Sequence, residues 1–243
     1  LVDEVNRRTG IQLDPEALTI GFARRFASYK RAPLIFRDSN RLAQIMNDPN
    51  RPVQLIFAGK AHPADKIGQK YLQEIVQWSH TQEFKGKVVV LEEYDMGVGR
   101  LLTSGCDVWL NTPIRPHEAS GTSGMKSPLH GGINCSISDG WWPEAFDGTN
   151  GWVIGDTNSD LEISDIENEE RDERDSNALY ELLENEIVPD FYAPGFPKKW
   201  IARALCSLET IPPQFNTNRM VREYADKYYA LGCSVTGSTS SSV

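Results

Sequence analysis

Val53-Gln54-Leu55-Ile56-Phe57-Ala58 and Val88-Val89-Val90-Leu91 decide the fold class. Both are short, almost continuously apolar runs, the pattern of strands buried on two faces. Working outward, Leu18–Phe22, Lys87–Glu92, Asp107–Leu110 and Asn134–Ser138 also read as strands. Helical patterns lie between or beside them at Ala32–Met46, Ala64–Trp78, Gly97–Thr103 and Ser123–His130. The alternation predicts an α/β fold, a doubly wound parallel sheet with helices on its faces. Such sheets bind ligands at the carboxyl ends of their strands. Arg24–Arg31, Gly59–His62, Glu93–Tyr94 and Asn111–Lys126 all follow strands, so four polar blocks converge on one edge.

One of these blocks contains Glu118-Ala119-Ser120-Gly121-Thr122-Ser123-Gly124-Met125-Lys126. It is expected to open a helix whose small residues bare backbone N–H groups, a setting that suits an anion. Glu118 reads either as a ligand for polyol hydroxyls or as a carboxylate that complements the helix dipole. Thr122 and Ser123 read as capping hydroxyls or as part of a site. Lys126 is expected to point inward; its plain alternative is a surface lysine, in a place the dipole disfavours. Upstream, Arg24, Arg25, Lys30 and Arg31 cluster directly after a buried strand. They form either a solvated basic turn or a grip for phosphate, with arginine offering paired N–H groups and lysine a compact charge.

The chain has 243 residues, a formal charge of −9 and 24% charged residues. That length can bury a full core. The acidic balance argues against a nucleic-acid partner, and no apolar run approaches a membrane span. The start, Leu1-Val2-Asp3-Glu4, lacks an initiator Met and a signal-peptide pattern, which suggests a piece of a longer chain. Cys106, Cys135, Cys206 and Cys233 are scattered like thiols of a reducing compartment, which favours the cytoplasm. His62, His80, His117 and His130 lack metal-site spacing, so no metal is expected; His117, beside Glu118, is the one that could line a pocket. Trp141 and Trp142 are expected to pack within a turn-rich loop, Trp141–Gly148. Residues 1–156 are taken as the core. Residues 157–231 are taken as an acidic loop and C-terminal helices, with helix patterns at Asn177–Ile187, Lys198–Glu209 and Thr217–Leu231. Arg171 and Arg174 are the only counter-charges within the dense carboxylates of Asp156–Asp175. The small polar tail, 232–243, is expected to be disordered.

The Glu118–Lys126 run and the Arg24–Arg31 segment together resemble the α-glucan phosphorylases, the glycogen, starch and maltodextrin enzymes that use pyridoxal 5′-phosphate. The Glu-Ala-Ser-Gly-Thr-x-x-Met-Lys motif is highly specific to them. Gly59-Lys60-Ala61-His62-Pro63 and Glu93-Tyr94 followed by Asp107 resemble further family blocks. The similarity runs from about Leu18 to Asp156 and resumes weakly at Phe215–Tyr229. Ser138-Asp139-Gly140-Trp141-Trp142 is closer to the shorter bacterial branch. The resemblance implies the Rossmann-like C-terminal half of a GT-B fold, with a long N-terminal half as its partner. It implies reversible phosphorolysis of an α-1,4-glucan end by orthophosphate, releasing α-glucose 1-phosphate. The 5′-phosphate of the cofactor would shuttle a proton. By resemblance Lys126 is the Schiff-base lysine, and Arg25 and Lys30 hold the substrate phosphate. Arg24, which stands where a lysine is common, faces the cofactor phosphate together with Gly121 and Thr122. Tyr94 lies near the cofactor, while Glu118, Ser120 and Gly121 meet glucose. Asp95 departs from the arginine of many animal and plant members. Two other readings remain open. One is a sugar-nucleotide-dependent glucan synthase, which would not need Lys126; the other is an isolated cofactor- or sugar-binding module without activity.

Overall fold

A computed structural model describes residues 1–156 and 168–230. Six parallel strands form one sheet in the order β3-β2-β1-β4-β5-β6. They are β1 (Leu18–Ala23), β2 (Val53–Ala58), β3 (Val88–Leu91), β4 (Val108–Asn111), β5 (Ile133–Ile137) and β6 (Gly151–Ile154). The order reverses between β1 and β4, because the chain builds outward from β1 to β3 and then crosses back. A crevice opens at the carboxyl ends of the strands beside such a switch point.

Alternation along each strand divides the core in two. Val53, Leu55 and Phe57 join a cluster with Ile20, Phe22, Val88, Val108 and Leu110 on one face. Ile56, Ala58, Val89, Leu91 and Trp109 join Val98 and Leu102 on the other. Period-two geometry sends neighbouring side chains to opposite faces, so a strand covered on both sides must be apolar throughout. Fully burying a side chain such as Phe57, 1% exposed, contributes roughly 1.5–3 kcal/mol.

Helices cover both faces. Helix α1 (Val2–Thr9), which the sequence reading did not mark, and α4 (Met96–Gly105) supply Val5 and Leu102 to the second cluster. On the first face lie α2 (Ser39–Met46), α3 (Lys66–His80) and α6 (Glu169–Leu182), contributing Leu42, Ile75 and Leu179. The expected helix Ala32–Met46 is instead a 3₁₀ turn, Ala32–Phe36, followed by α2. Asp38 restarts it by accepting an N–H bond from Arg41 at 2.9 Å, an N-cap. The Trp141–Gly148 segment contains a short helix, α5 (Trp142–Ala145); both tryptophans are buried and pack with Ile211 and Phe215. Beyond α6 the helix widens to a π segment, Leu183–Ile187, and continues as α7 (Val188–Phe191). Helices α8 (Lys198–Gln214) and α9 (Thr217–Tyr224) follow, α9 running on through a π segment, Ala225–Tyr229. Leu231 and the tail 232–243 lie outside the described residues. Among the described residues no helix is long and apolar enough to cross a membrane.

The expected helix at Asn177–Ile187 starts earlier, at Glu169, and besides the local Arg171–Asp172 pair its counter-charges come from across the molecule. Arg37 pairs with Glu169 and Glu173, and Arg41 with Glu184. Arg31, 3% exposed, donates to Asp172 at 2.7 Å, Asp175 at 2.7 Å, and the carbonyls of Thr112 at 3.0 Å and Pro113 at 2.9 Å. Arg31 is thus a structural tie, separate from the rest of the basic cluster. Arg31→Ala strands Asp175 and two carbonyls and leaves Asp172 to Arg171, and should cost about 3–5 kcal/mol of unfolding free energy in chemical denaturation.

Asp107 joins β1 to β4 by accepting the Thr19 N–H at 2.8 Å. Burial pushes its carboxyl from 3.8 up to about 6, against the downward pull of the Thr19 N–H. The folded protein therefore holds this proton more tightly than the unfolded chain. Its contribution to stability is fully present below the unfolded value and is lost as pH rises through the folded one. Urea midpoints of wild type and Asp107→Asn should shift in favour of the variant as pH is raised from about 4 to about 6.

Candidate functional site

The site is built from the segments that leave β1, β4 and β5. After β1, pairing with β2 continues past the strands: Arg24 N–H donates to Ala58 O and Phe26 N–H to Lys60 O, both at 3.1 Å. Gly59 permits this approach, since a Cβ there would lie 2.0 Å from the Arg24 carbonyl oxygen. Arg24 is thereby fixed at the carboxyl edge beside the switch point. A 3₁₀ turn, Ser28–Lys30, then returns Lys30 to the same edge, with its Nζ 4.7 Å from the centre of the Tyr29 ring.

After β4 the chain does not open a helix at Glu118–Lys126 as expected. It runs as an irregular loop into a 3₁₀ turn, Ser127–His130. Gly121 adopts φ 76°, and Pro128 has no N–H to extend a ladder. The anion setting is therefore a loop rather than a helix dipole. Lys126 is exposed, contrary to the inward orientation expected of it; its neighbour Ser127 is the buried one.

Three of the expected residues meet in one buried ion cluster. The Oε2 of Glu118 accepts from Lys30 Nζ and, at 3.1 Å, from Arg24 Nη2. Their side chains are 6–8% exposed. Gly121 adjoins them: a Cβ on it would lie 3.5 Å from Glu118 Oε1 and 3.7 Å from Arg24 Nη2. Burial pushes the Arg24 guanidinium below its usual range, and the Glu118 carboxylate pulls it back. Two of its donor atoms, Nε and Nη1, are buried without a hydrogen-bond partner, as is Asn111 Oδ1. Both residues line a narrow crevice together with Trp109, Ser123, Gly124, Asn134 and Trp141. An orphaned guanidinium edge in a buried crevice is a ready grip for an oxyanion.

The other expected residues lie around this centre. Arg25, Ser120 and Thr122 are exposed. Tyr94 is half-buried against the second core cluster, its hydroxyl over Gly99, and does not line the crevice. His117 is exposed, its ring centre 6.4 Å from that of Tyr29. Among the described residues no group of histidine, cysteine or carboxylate side chains suits a metal.

Sequence reasoning missed Asp139 and Asn111. Asp139, 7% exposed, accepts the Glu118 N–H at 2.9 Å and the Gly140 N–H at 2.8 Å. Burial raises its carboxyl, while these two N–H bonds oppose the rise. Asn111 ends β4 and donates to Ser136 Oγ at 3.1 Å. A polar residue closing an apolar strand at the carboxyl edge was the signal for Asn111. For Asp139 it was a carboxylate just past β5.

The carbohydrate phosphorylase family profile matches residues 1–162. The chain is 50% identical to a maltodextrin phosphorylase of Thermococcus litoralis over 94% of its length, which is 27% of that protein. It is 48% identical to a glycogen phosphorylase of Mycobacterium bovis (89% of this chain, 25% of that protein). It is 45% identical to one of Aquifex aeolicus (91% and 31%). The chain thus spans 25–31% of the length of these relatives. A parallel sheet in switch-point order, a cationic crevice at its carboxyl edge and this similarity agree, and the chain belongs to the carbohydrate phosphorylase family.

Proposed function

We propose that the chain forms the cofactor- and phosphate-binding wall of a retaining α-1,4-glucan phosphorylase. The enzyme would release α-glucose 1-phosphate from glucan ends with orthophosphate. The observation that carries this reading is the buried Arg24 edge, whose Nε and Nη1 have no partner while Nη2 is held by Glu118. Arg24 and Lys30 meet Glu118 and Arg25 is next in the chain, so three cations stand against the two carboxylates of Glu118 and Asp139. Such a surplus suits a reaction that must keep two phosphates close together.

The residues present fit pyridoxal 5′-phosphate. Arg24 and the Gly121–Thr122 loop would hold its phosphate, and Lys126 offers an amine two residues beyond Gly124. When bound, the cofactor supplies a phosphate that exchanges a proton with the substrate phosphate. The chain's own residues do the rest. Arg25 and Lys30 orient orthophosphate, and Glu118 with Ser120 and Gly121 accepts sugar hydroxyls. Positioning of this kind makes up much of the rate in phosphate chemistry. Glycosyl-transfer folds of two halves close substrate between them, and a single wall leaves the reacting phosphates in water, where charge stabilisation is weak. The chain alone should fold and turn over little; glucan and the N-terminal half are its partners.

Two measurements test this reading. Borohydride treatment of the full-length protein loaded with pyridoxal phosphate, followed by peptide mapping, should place the adduct on Lys126. An adduct confined to another lysine would remove that assignment. Arg25→Ala and Lys30→Ala should weaken phosphate use far more than glucan binding, by about 2–4 kcal/mol of transition-state stabilisation. Near wild-type phosphorolysis in both variants would contradict the roles given to them.

A further inference from the structure

We infer that Asp139 is a positioning residue for Glu118, setting the carboxylate that reads the sugar; this rests on the phosphorylase reading above. Asp139 follows β5, the strand next to β4, and is 7% exposed. Its two oxygens are divided between two backbone donors, Oδ2 taking the Glu118 N–H at 2.9 Å and Oδ1 the Gly140 N–H at 2.8 Å. Trp141 N–H then donates to Ser120 O at 2.9 Å. Gly140 sits at φ 61°, and a Cβ on it would come within 2.2 Å of Ser120 O and 2.9 Å of Glu118 Cγ. The loop at 118–120 therefore lies directly on the turn at 139–141.

This contact sets the position of a functional group. The side chain of Glu118 meets Lys30 and Arg24, which the segment after β1 carries. Its backbone is fixed by the turn after β5. Asp139 thus refers the loop to the same sheet that places the two cations, and all three charges share one rigid frame. The task needs a carboxylate. Both oxygens accept, whereas an amide would turn an NH₂ toward one of the two N–H donors and lose that bond. The cluster around Asp139 is charged on several sides: Glu118 opposes its ionisation and Arg115 favours it.

The test is Asp139→Asn in the full-length, cofactor-loaded protein, with glucan and phosphate varied separately and the melting temperature recorded. A displaced Glu118 should lower kcat/KM for glucan by about 100-fold. The KM for phosphate should stay within about twofold of wild type, because the cations are held from β1. A folded variant with wild-type kinetics, or with equal losses toward both substrates, would overturn the inference. If Asp139→Asn does not fold, Gly140→Ala decides. It leaves the carboxylate in place and presses on the same loop, so it should give the same glucan-selective loss; an unselective loss or none would again overturn the inference. A wild-type protein without phosphorolysis would instead overturn the functional reading itself, and this inference with it.

Discussion

The guanidinium of Arg31 joins three segments that the sequence keeps far apart. It lies in the loop after β1, caps the carbonyls of Thr112 and Pro113 after β4, and neutralises Asp172 and Asp175 on α6. Four acceptors in different directions suit a planar fork and not the compact ammonium of lysine. Arg31 also adopts φ 46°, a left-handed conformation that non-glycine residues seldom enter and that surrounding contacts must enforce. Thr112 Oγ1 reinforces the bend by donating to Lys30 O at 3.0 Å. Because Lys30 immediately precedes this bend, the tie that anchors Arg31 also holds Lys30 at Glu118.

The Glu118 cluster has a different physical character. Burying charges in pairs contributes little net stability, because desolvation offsets the mutual attraction. Two cations on one carboxylate oxygen, with two donors of Arg24 left idle, make a poor device for stabilising a fold. The arrangement makes sense as a site that stores unused donor capacity where water is scarce. The sheet supports this by fixing Arg24 through β-type pairing with Ala58, which leaves the loop little freedom to relax toward solvent.

The strands are legible in the sequence wherever both faces are buried, because a short, uniformly apolar run bounded by polar residues suits a doubly covered strand. β6 is not legible in this way: Gly-Trp-Val-Ile is short and follows a turn-rich segment, so its pattern is weak alone. The helix expected at Ser123 does not form because composition carries no torsion; Gly121 takes a positive φ and Pro128 interrupts the N–H series. At the site, Arg24, Lys30, Glu118 and Gly121 are recognisable from residue type and position after strands. The split between Arg31 and its neighbours is hidden, since adjacent cations look alike until their partners, here about 140 residues away, are known. The same long separation hides Arg31 as the partner of Asp172 and Asp175. Asp139 falls within a family-like run, but its use of both oxygens on backbone N–H groups depends on the turn at Gly140, which sequence alone does not give.

Parallel strands cannot pair through short hairpins, and the order seen here makes that constraint severe for the central strand. β1 pairs with β2 across one helical crossover, but with β4 only after β2 and β3 have been made. Loop-closure entropy must be met before such distant contacts repay it, so assembly is slow. During synthesis from the N-terminus, β1 to β3 can gather while the later strands are still emerging. Arg24, Lys30 and Arg31 then have none of their acidic partners. The carboxyl edge at the switch point thus stays open until β4 and β5 arrive, and until Glu118 and then α6 emerge the nascent chain presents a concentrated basic surface.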